Sequence, residues 1–212
     1  MGSKIYKHRA SQGGLLLTNG KDELGLGASL ITYLKKDYAE QKSGVKDEVF
    51  SKYFEKGIQC EMEAIDICAE RFGLGMLEKN NKYFSDDYFK GTPDAITEEY
   101  VIDTKCSWDY SSFLDSVTNP INKDYECQLQ IYMHLLGLKK ARLVYVLLDT
   151  PDFINYGNEI IFSHLPIEER FFYFDIDYDL VLIEKMKRKI DNCRIFINQY
   201  DEKVKSLLKL NK

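Results

Sequence analysis

The chain has 212 residues and a net charge of -5 at neutral pH; 44% of it is hydrophobic and 30% charged, with 15 Tyr and 12 Phe but only 4 Pro. This composition supports one domain, spanning 1–212, with a sizeable core, and it excludes a disordered or low-complexity chain. No stretch approaches the roughly 18 apolar residues that span a bilayer and the N-terminus has no apolar signal segment, so a soluble cytoplasmic protein with no membrane partner is expected.

In chain order, short helices are expected over 11–18 and 27–42, and a longer helix over 47–72 that stops at Gly73. Extended runs follow at 82–85, 88–96 and 99–106, rich in Tyr, Phe, Val and Ile. A short helix over 109–117 leads through the loop "TNPIN" to a helix over 123–138 that ends around Gly137. "ARLVYVLLD" reads as a buried strand, and "EIIFSH" and "RFFYFDID" as two more. From Tyr178 to about Leu208 a helix is expected, with Leu182, Met186, Ile190, Cys193 or Arg194, and Ile197 recurring at three- and four-residue steps and its lysines forming a solvated face. The pattern divides into a helical part (1–75), a sheet core (80–176) and a closing helix (177–212). It predicts an α/β (α+β) fold with a central mixed sheet flanked by helices, and no G-x-G-x-x-G marks a dinucleotide fold.

The chemistry concentrates in "GTPDAITEEYVIDTKCSW", residues 91–108. Read as a hairpin turning at Glu98 and Glu99, this stretch pairs residues whose numbers sum to 197, which sets Asp94 opposite Asp103. Opposed side chains in such a ladder stand about 4.5–5.5 Å apart at Cβ, and like charges there are destabilising unless neutralised, as a divalent cation would do. The two-residue period puts Val101, Asp103 and Lys105 on one face and Ile102, Thr104 and Cys106 on the other. A surface hairpin with an ordinary Asp–Lys pair is the alternative.

Two helices add polar groups. On "GIQCEMEAIDICAERFG", Glu61 falls on the stripe Ile58, Ile65, Cys68 and Phe72, where a carboxylate is costly unless paired or metal-bound. A partly exposed helix start is the alternative. On "DYECQLQIYMHLLG", Gln128 and Tyr132 are four apart and share a face, although both also suit the flank of an amphipathic helix. Five cysteines without C-x-x-C spacing imply reduced thiols, and His8, His134 and His164 are too scattered for a ligand set. Trp108 either caps the sheet or stacks on a base.

Taken in order, Gly57-x-x-x-Glu61, Gly91-Thr92-Pro93-Asp94, Asp103-Thr104-Lys105 and Gln128-x-x-x-Tyr132 resemble the PD-(D/E)XK nuclease superfamily. Within it the chain is similar to the phage lambda exonuclease-like, YqaJ-type viral recombinase nucleases, including an upstream "HRASQGGLLLTNG" like the family's Arg-Ala-Ser opening. The resemblance covers residues 8 to about 137 and implies a restriction-endonuclease-like core. It implies that Asp94, Asp103 and the carbonyl of Thr104 coordinate Mg²⁺, for which Mn²⁺ substitutes, with Glu61 at a second ion or a bound water. Lys105 would position water or stabilise the phosphate, Gln128 and Tyr132 would support the site, and Arg9 with Ser11 would contact a terminal or scissile phosphate. The family more often carries Glu where this chain has Asp103, a change of reach rather than of chemistry.

The expected activity is a Mg²⁺-dependent 5′-to-3′ exonuclease on duplex DNA ends that leaves a 3′ strand for recombination. The resemblance further implies a ring-shaped homotrimer, a single-strand annealing protein as partner, and the host cytoplasm if the chain is phage-encoded. The rivals are an endonuclease or junction-cleaving enzyme on the same fold, and a catalytically inactive DNA-binding module. Four intact site residues, Glu61, Asp94, Asp103 and Lys105, weigh against the last.

Overall fold

A computed structural model describes residues 5–46 and 51–210. Seven strands form two sheets: β1 (His8–Arg9), β2 (Phe84–Ser85) and β3 (Phe89–Gly91) make a small sheet in the order β1-β3-β2. The main sheet, β4-β5-β6-β7, is mixed and comprises β4 (Ala95–Ile96), β5 (Tyr100–Cys106), β6 (Lys140–Val146) and β7 (Phe171–Asp177). Within the main sheet only β5 and β6 run parallel, and β4 and β7 pair antiparallel to them. Helices α1 (Ala28–Ser43), α2 (Lys52–Arg71), α3 (Tyr110–Thr118), α4 (Lys123–Leu136) and α5 (Leu180–Leu210) surround the sheets. The expected central mixed sheet flanked by helices is present, and no described helix is long and apolar enough to cross a membrane.

Strand periodicity explains the layers. Val101, Leu143 and Tyr145 pack with Leu129, Met133 and the buried α5 residues Ile183, Met186, Ile190 and Cys193. Their neighbours Ile102 and Val144 turn to the opposite face and meet Ile65, Cys68 and Ala69 of α2. With both faces covered, β5 and β6 read as near-continuous apolar runs.

Several expectations need correction. The first predicted helix is a 3₁₀ segment, Ala10–Leu17, because it lies so close to α4 that side chains at Gly13 and Gly14 would collide with Cys127, Ile131 and Asp124. The run 88–96 is cut in two by Thr92-Pro93-Asp94, since Pro93 has no N–H for a ladder. "EIIFSH" is a loop whose one ladder contact, the isolated Thr150–Ile160 bridge, lies outside both sheets; the Asp149 carboxylate gathers the backbone N–H groups of Phe162 and Ser163, and Phe162 packs into the core. On α2 the inward stripe is Lys56, Cys60, Ala64, Ile65, Cys68 and Ala69, while Ile58 is half exposed. On α5 Ile183 replaces Leu182 as the first core residue, and Lys189 is no free surface lysine: it donates to the carbonyls of Thr18 and Gly25 and to Asn19. The predicted start of α2 at 47–50 lies outside the described residues.

Gly14 and Gly57 give opposite expectations. A Cβ at Gly14 would lie 2.9 Å from the Asp124 Cα, whereas one at Gly57, inside α2, would meet nothing within 4 Å. Gly14→Ala should lower stability by about 1–3 kcal/mol through overpacking, and Gly57→Ala should raise it by about 0.5–1 kcal/mol through helix propensity. Urea denaturation of both variants measures this.

Candidate active site

The turn that separates the two sheets also aims the first acid. Thr92, Pro93 and Asp94 cannot continue a strand, and their carbonyls are taken instead by Tyr132 Oη (3.0 Å), Asn80 Nδ2 (2.9 Å) and Asn80 N (2.7 Å). The chain then re-enters as β4, where Ala95 pairs with Ile102 and Ile96 with Val101, the register summing to 197. Asp94 sits one residue outside this ladder, and its Oδ2 accepts from Thr104 N at 2.8 Å and Thr104 Oγ1 at 3.1 Å.

Asp103 is fully buried on the α4 side. Its Oδ1 accepts from Gln128 Nε2 at 2.9 Å, and the same amide reaches Tyr132 Oη at 3.0 Å, so residues four apart on α4 act together as expected. Lys105 Nζ stands 2.7 Å from Asp103 Oδ2 and 4.6 Å from the centre of the Tyr125 ring. Cys106 faces α2 and packs in a cluster with Cys60, on the opposite side from Lys105.

Charge is concentrated where water is scarce. Burial, then the charge of Asp103, raises the Asp94 carboxyl to about 7; Lys105 and the Thr104 N–H partly oppose this, and Glu61 adds to it. Burial alone would depress the Lys105 ammonium, but Asp103 and Asp94 outweigh it and hold its pKa above the ordinary lysine value. Lys105 is therefore a fixed cation, suited to holding an anion rather than to accepting a proton.

Glu61 projects from α2 close enough to be felt by Asp94, but its Oε2 is engaged by Lys79 Nζ at 2.8 Å. Arg9 and Ser11 are exposed on either side of Ala10, whose Cβ is so near Gly91 that a side chain there would lie 2.9 Å from it and 2.7 Å from Tyr132. The structure thus gathers Asp94, Asp103, Thr104, Lys105, Gln128 and Tyr132, places Arg9 and Ser11 on the flank beyond Tyr132, and turns Glu61 to a lysine.

Among the described residues no three His, Cys, Asp or Glu side chains form a ready ligand shell. The acids present still fit a hard divalent cation. Asp103 Oδ2 is buried with the Lys105 ammonium at 2.7 Å as its one neighbour of opposite charge, and a second carboxylate beside it is held partly neutral by the same crowding.

Three neighbours were missed from the sequence. Tyr125 could have been found, because 125, 128 and 132 follow three- and four-residue steps along α4. Lys56 was readable only as part of the 56-60-64-68 stripe. Lys79, in a polar segment without periodicity, gave no signal. Of the histidines, His8 is a core residue, its ring nitrogens 2.6 Å from Tyr6 Oη and 2.8 Å from Gln12 O, and burial lowers its pKa to about 4.

No known protein-family profile matches the chain, and no curated protein does. Solved structures do. A phage-related exonuclease from Haemophilus somnus 129PT is 23% identical, with 95% of this chain and 97% of that one superposed at a TM-score of 0.83. This chain has the phage-exonuclease fold. The alkaline exonuclease LHK-Exo from Laribacter hongkongensis shares the phage-exonuclease fold at 16% identity, covering 99% of this chain and 97% of its own, with a TM-score of 0.75. Its complex with dAMP is likewise 16% identical, over 98% and 96% of the two chains, with a TM-score of 0.73.

Gln128 carries the support of the site. Gln128→Ala removes the donor to a buried carboxylate, and stability should fall by about 1.5–3 kcal/mol; Tyr132→Phe, which loses only neutral hydrogen bonds, should cost about 1 kcal/mol. Chemical denaturation of the two variants distinguishes these costs, and equal losses would assign the wrong residue to the support.

Proposed function

We propose that this protein is a metal-dependent deoxyribonuclease acting as an exonuclease on duplex ends, in the 5′-to-3′ direction. The observation that carries the reading is the buried Asp94–Asp103 pair with the Lys105 ammonium against it. Such a cluster is unfavourable as structure alone, and it suits phosphodiester hydrolysis, where negative charge accumulates on the phosphate. The phage-exonuclease fold and the dAMP complex of a protein with that fold support a DNA substrate.

The resident ion is proposed to be Mg²⁺, with Mn²⁺ as substitute, held by Asp94, Asp103 and the Thr104 carbonyl. When bound, it lowers the pKa of water and screens the phosphate. The chain's own residues do the rest. Lys105 holds a phosphoryl oxygen with a charge that Asp103 keeps in place. Gln128 and Tyr132 orient Asp103, while Thr104 N–H and its hydroxyl orient Asp94. Glu61, released from Lys79, would hold a second ion or a water, and Arg9 with Ser11 would receive a terminal phosphate on the flank beyond Tyr132. Recombination as the setting, a homotrimeric ring and an annealing-protein partner rest on the sequence resemblance; mass in solution reads out the ring.

An endonuclease on the same fold is separated by substrate. The protein should degrade 5′-phosphorylated linear duplex with Mg²⁺ and spare covalently closed circles; efficient cutting of circles would remove the end-dependent reading. Asp103→Ala and Lys105→Ala should each lower the rate by about 100-fold or more. Full activity in both variants, or activity in chelator, would falsify the site.

Metal affinity should depend on pH with a definite sign. The Asp94 carboxyl, raised to about 7, must lose its proton to bind a cation. Affinity for Mn²⁺ should therefore rise about five-fold from about pH 6 to pH 7 and flatten above about pH 8. Calorimetric titration checks this, and a profile flat across that window would contradict it.

A further inference from the structure

On the side of Lys105 away from Gln128, the site opens into a cleft of about 530 Å³ between α3 and the N-terminal ends of α2 and α4. That volume lies within the range of small-ligand sites. Its walls carry Tyr53, Trp108 and Tyr125 with Lys105 at the inner end and Lys56 buried behind them, and Asp115 is the one acid among its described lining residues. A cap that merely closed the sheet would be dry and apolar; this wall is aromatic, cationic and open.

The loop that presents Trp108 is fixed from both sides. Ser107 N donates to Val146 O at 2.9 Å, and Asp109 caps α3 through reciprocal bonds with Ser112. The Lys56 side chain is fully buried, and its Nζ donates to the Trp108 carbonyl at 3.1 Å. Burying an ammonium to hold one loop carbonyl is costly, and the arrangement makes sense where the indole must be pre-set. The ring itself stays partly exposed, edge-on to Tyr53 at 5.0 Å, with Lys52 Nζ 4.4 Å from its centre.

Four polar side chains of the cleft are tied into the ends of α3 and α4. Ser112 and Ser116 donate to the carbonyls of Asp109 and Ser112, Asn119 donates to Asp115 O, and Asn122 caps α4. What remains is ring surface, with the Lys105 ammonium at its inner end and the Asp115 carboxylate on α3; the rings grip any base and read none.

Resting on the nuclease reading above, we propose that this cleft is the subsite for the nucleotide on the far side of the scissile phosphate from Arg9 and Ser11. Its base stacks on Trp108, and Lys105 spans from the acid pair into the cleft, so a strand crossing Asp94 and Asp103 leaves along these rings. The subsite takes any of the four bases.

Trp108 is the single tryptophan of the chain, so its fluorescence reports directly on the cleft. In chelator, titration with short 5′-phosphorylated single strands should quench it saturably, and strands of each base should bind within about three-fold of one another. An abasic second nucleotide should weaken binding to the wild type about ten-fold, but leave binding to Trp108→Ala unchanged. Trp108→Phe should restore most of the abasic penalty, and thermal melts confirm that both variants fold. Binding seen by anisotropy with a silent tryptophan, or an abasic penalty that persists in Trp108→Ala, overturns the subsite while leaving the nuclease reading intact. A wild type that neither binds DNA nor cleaves it with Mg²⁺ overturns both.

Discussion

Two carboxylates facing one another in a place that water barely reaches is the constraint on which the rest of the site depends. Asp94 and Asp103 are brought together by a two-residue ladder, and nothing in that ladder relieves their repulsion. The relief comes from elsewhere: two Thr104 donors on Asp94, a glutamine and an ammonium on Asp103. Each of these comes from a segment whose position the core fixes. The acid pair can therefore keep its geometry even though its own charges oppose it.

The support forms one connected chain. Gln128 touches both Asp103 and Tyr132, and Tyr132 passes to the Thr92 carbonyl two residues before Asp94. α4 thus holds both acids, one directly and one through the backbone turn. Gly91 makes this possible, because a side chain there would push Tyr132 and Ala10 away. The N-terminal segment bearing Arg9 and Ser11 is seated against that same glycine through Ala10, so this flank and the acid pair share one packing contact.

Much of this was legible in the sequence, for reasons that can be named. The hairpin register followed from its turn, and the pairing of Gln128 with Tyr132 from helical spacing, because both are local geometry. Ile58 looked like core but is half exposed, whereas Ile65 and Cys68 of the same stripe are buried and Glu61, between Ile58 and Ile65, reaches the charge of Asp94; small residues, Cys60, Ala64 and Cys68, are what let α2 approach β5. "EIIFSH" looked like a strand because its apolar run carries no sign of the distant Asp149 that folds it into a loop. Lys79 and Lys56 were invisible as site neighbours, since contacts between segments far apart in sequence leave no periodic mark.

The hairpin has a consequence for the order of assembly. Both acids and Lys105 lie within a dozen residues of one another, so the cation travels with the charges it must offset. Closing this hairpin requires no residue from α4, and local closure is fast compared with the parallel pairing of β5 and β6, which must wait for the two helices between them. The folding chain can acquire its charge-balanced core early, and the later arrival of α4 locks it.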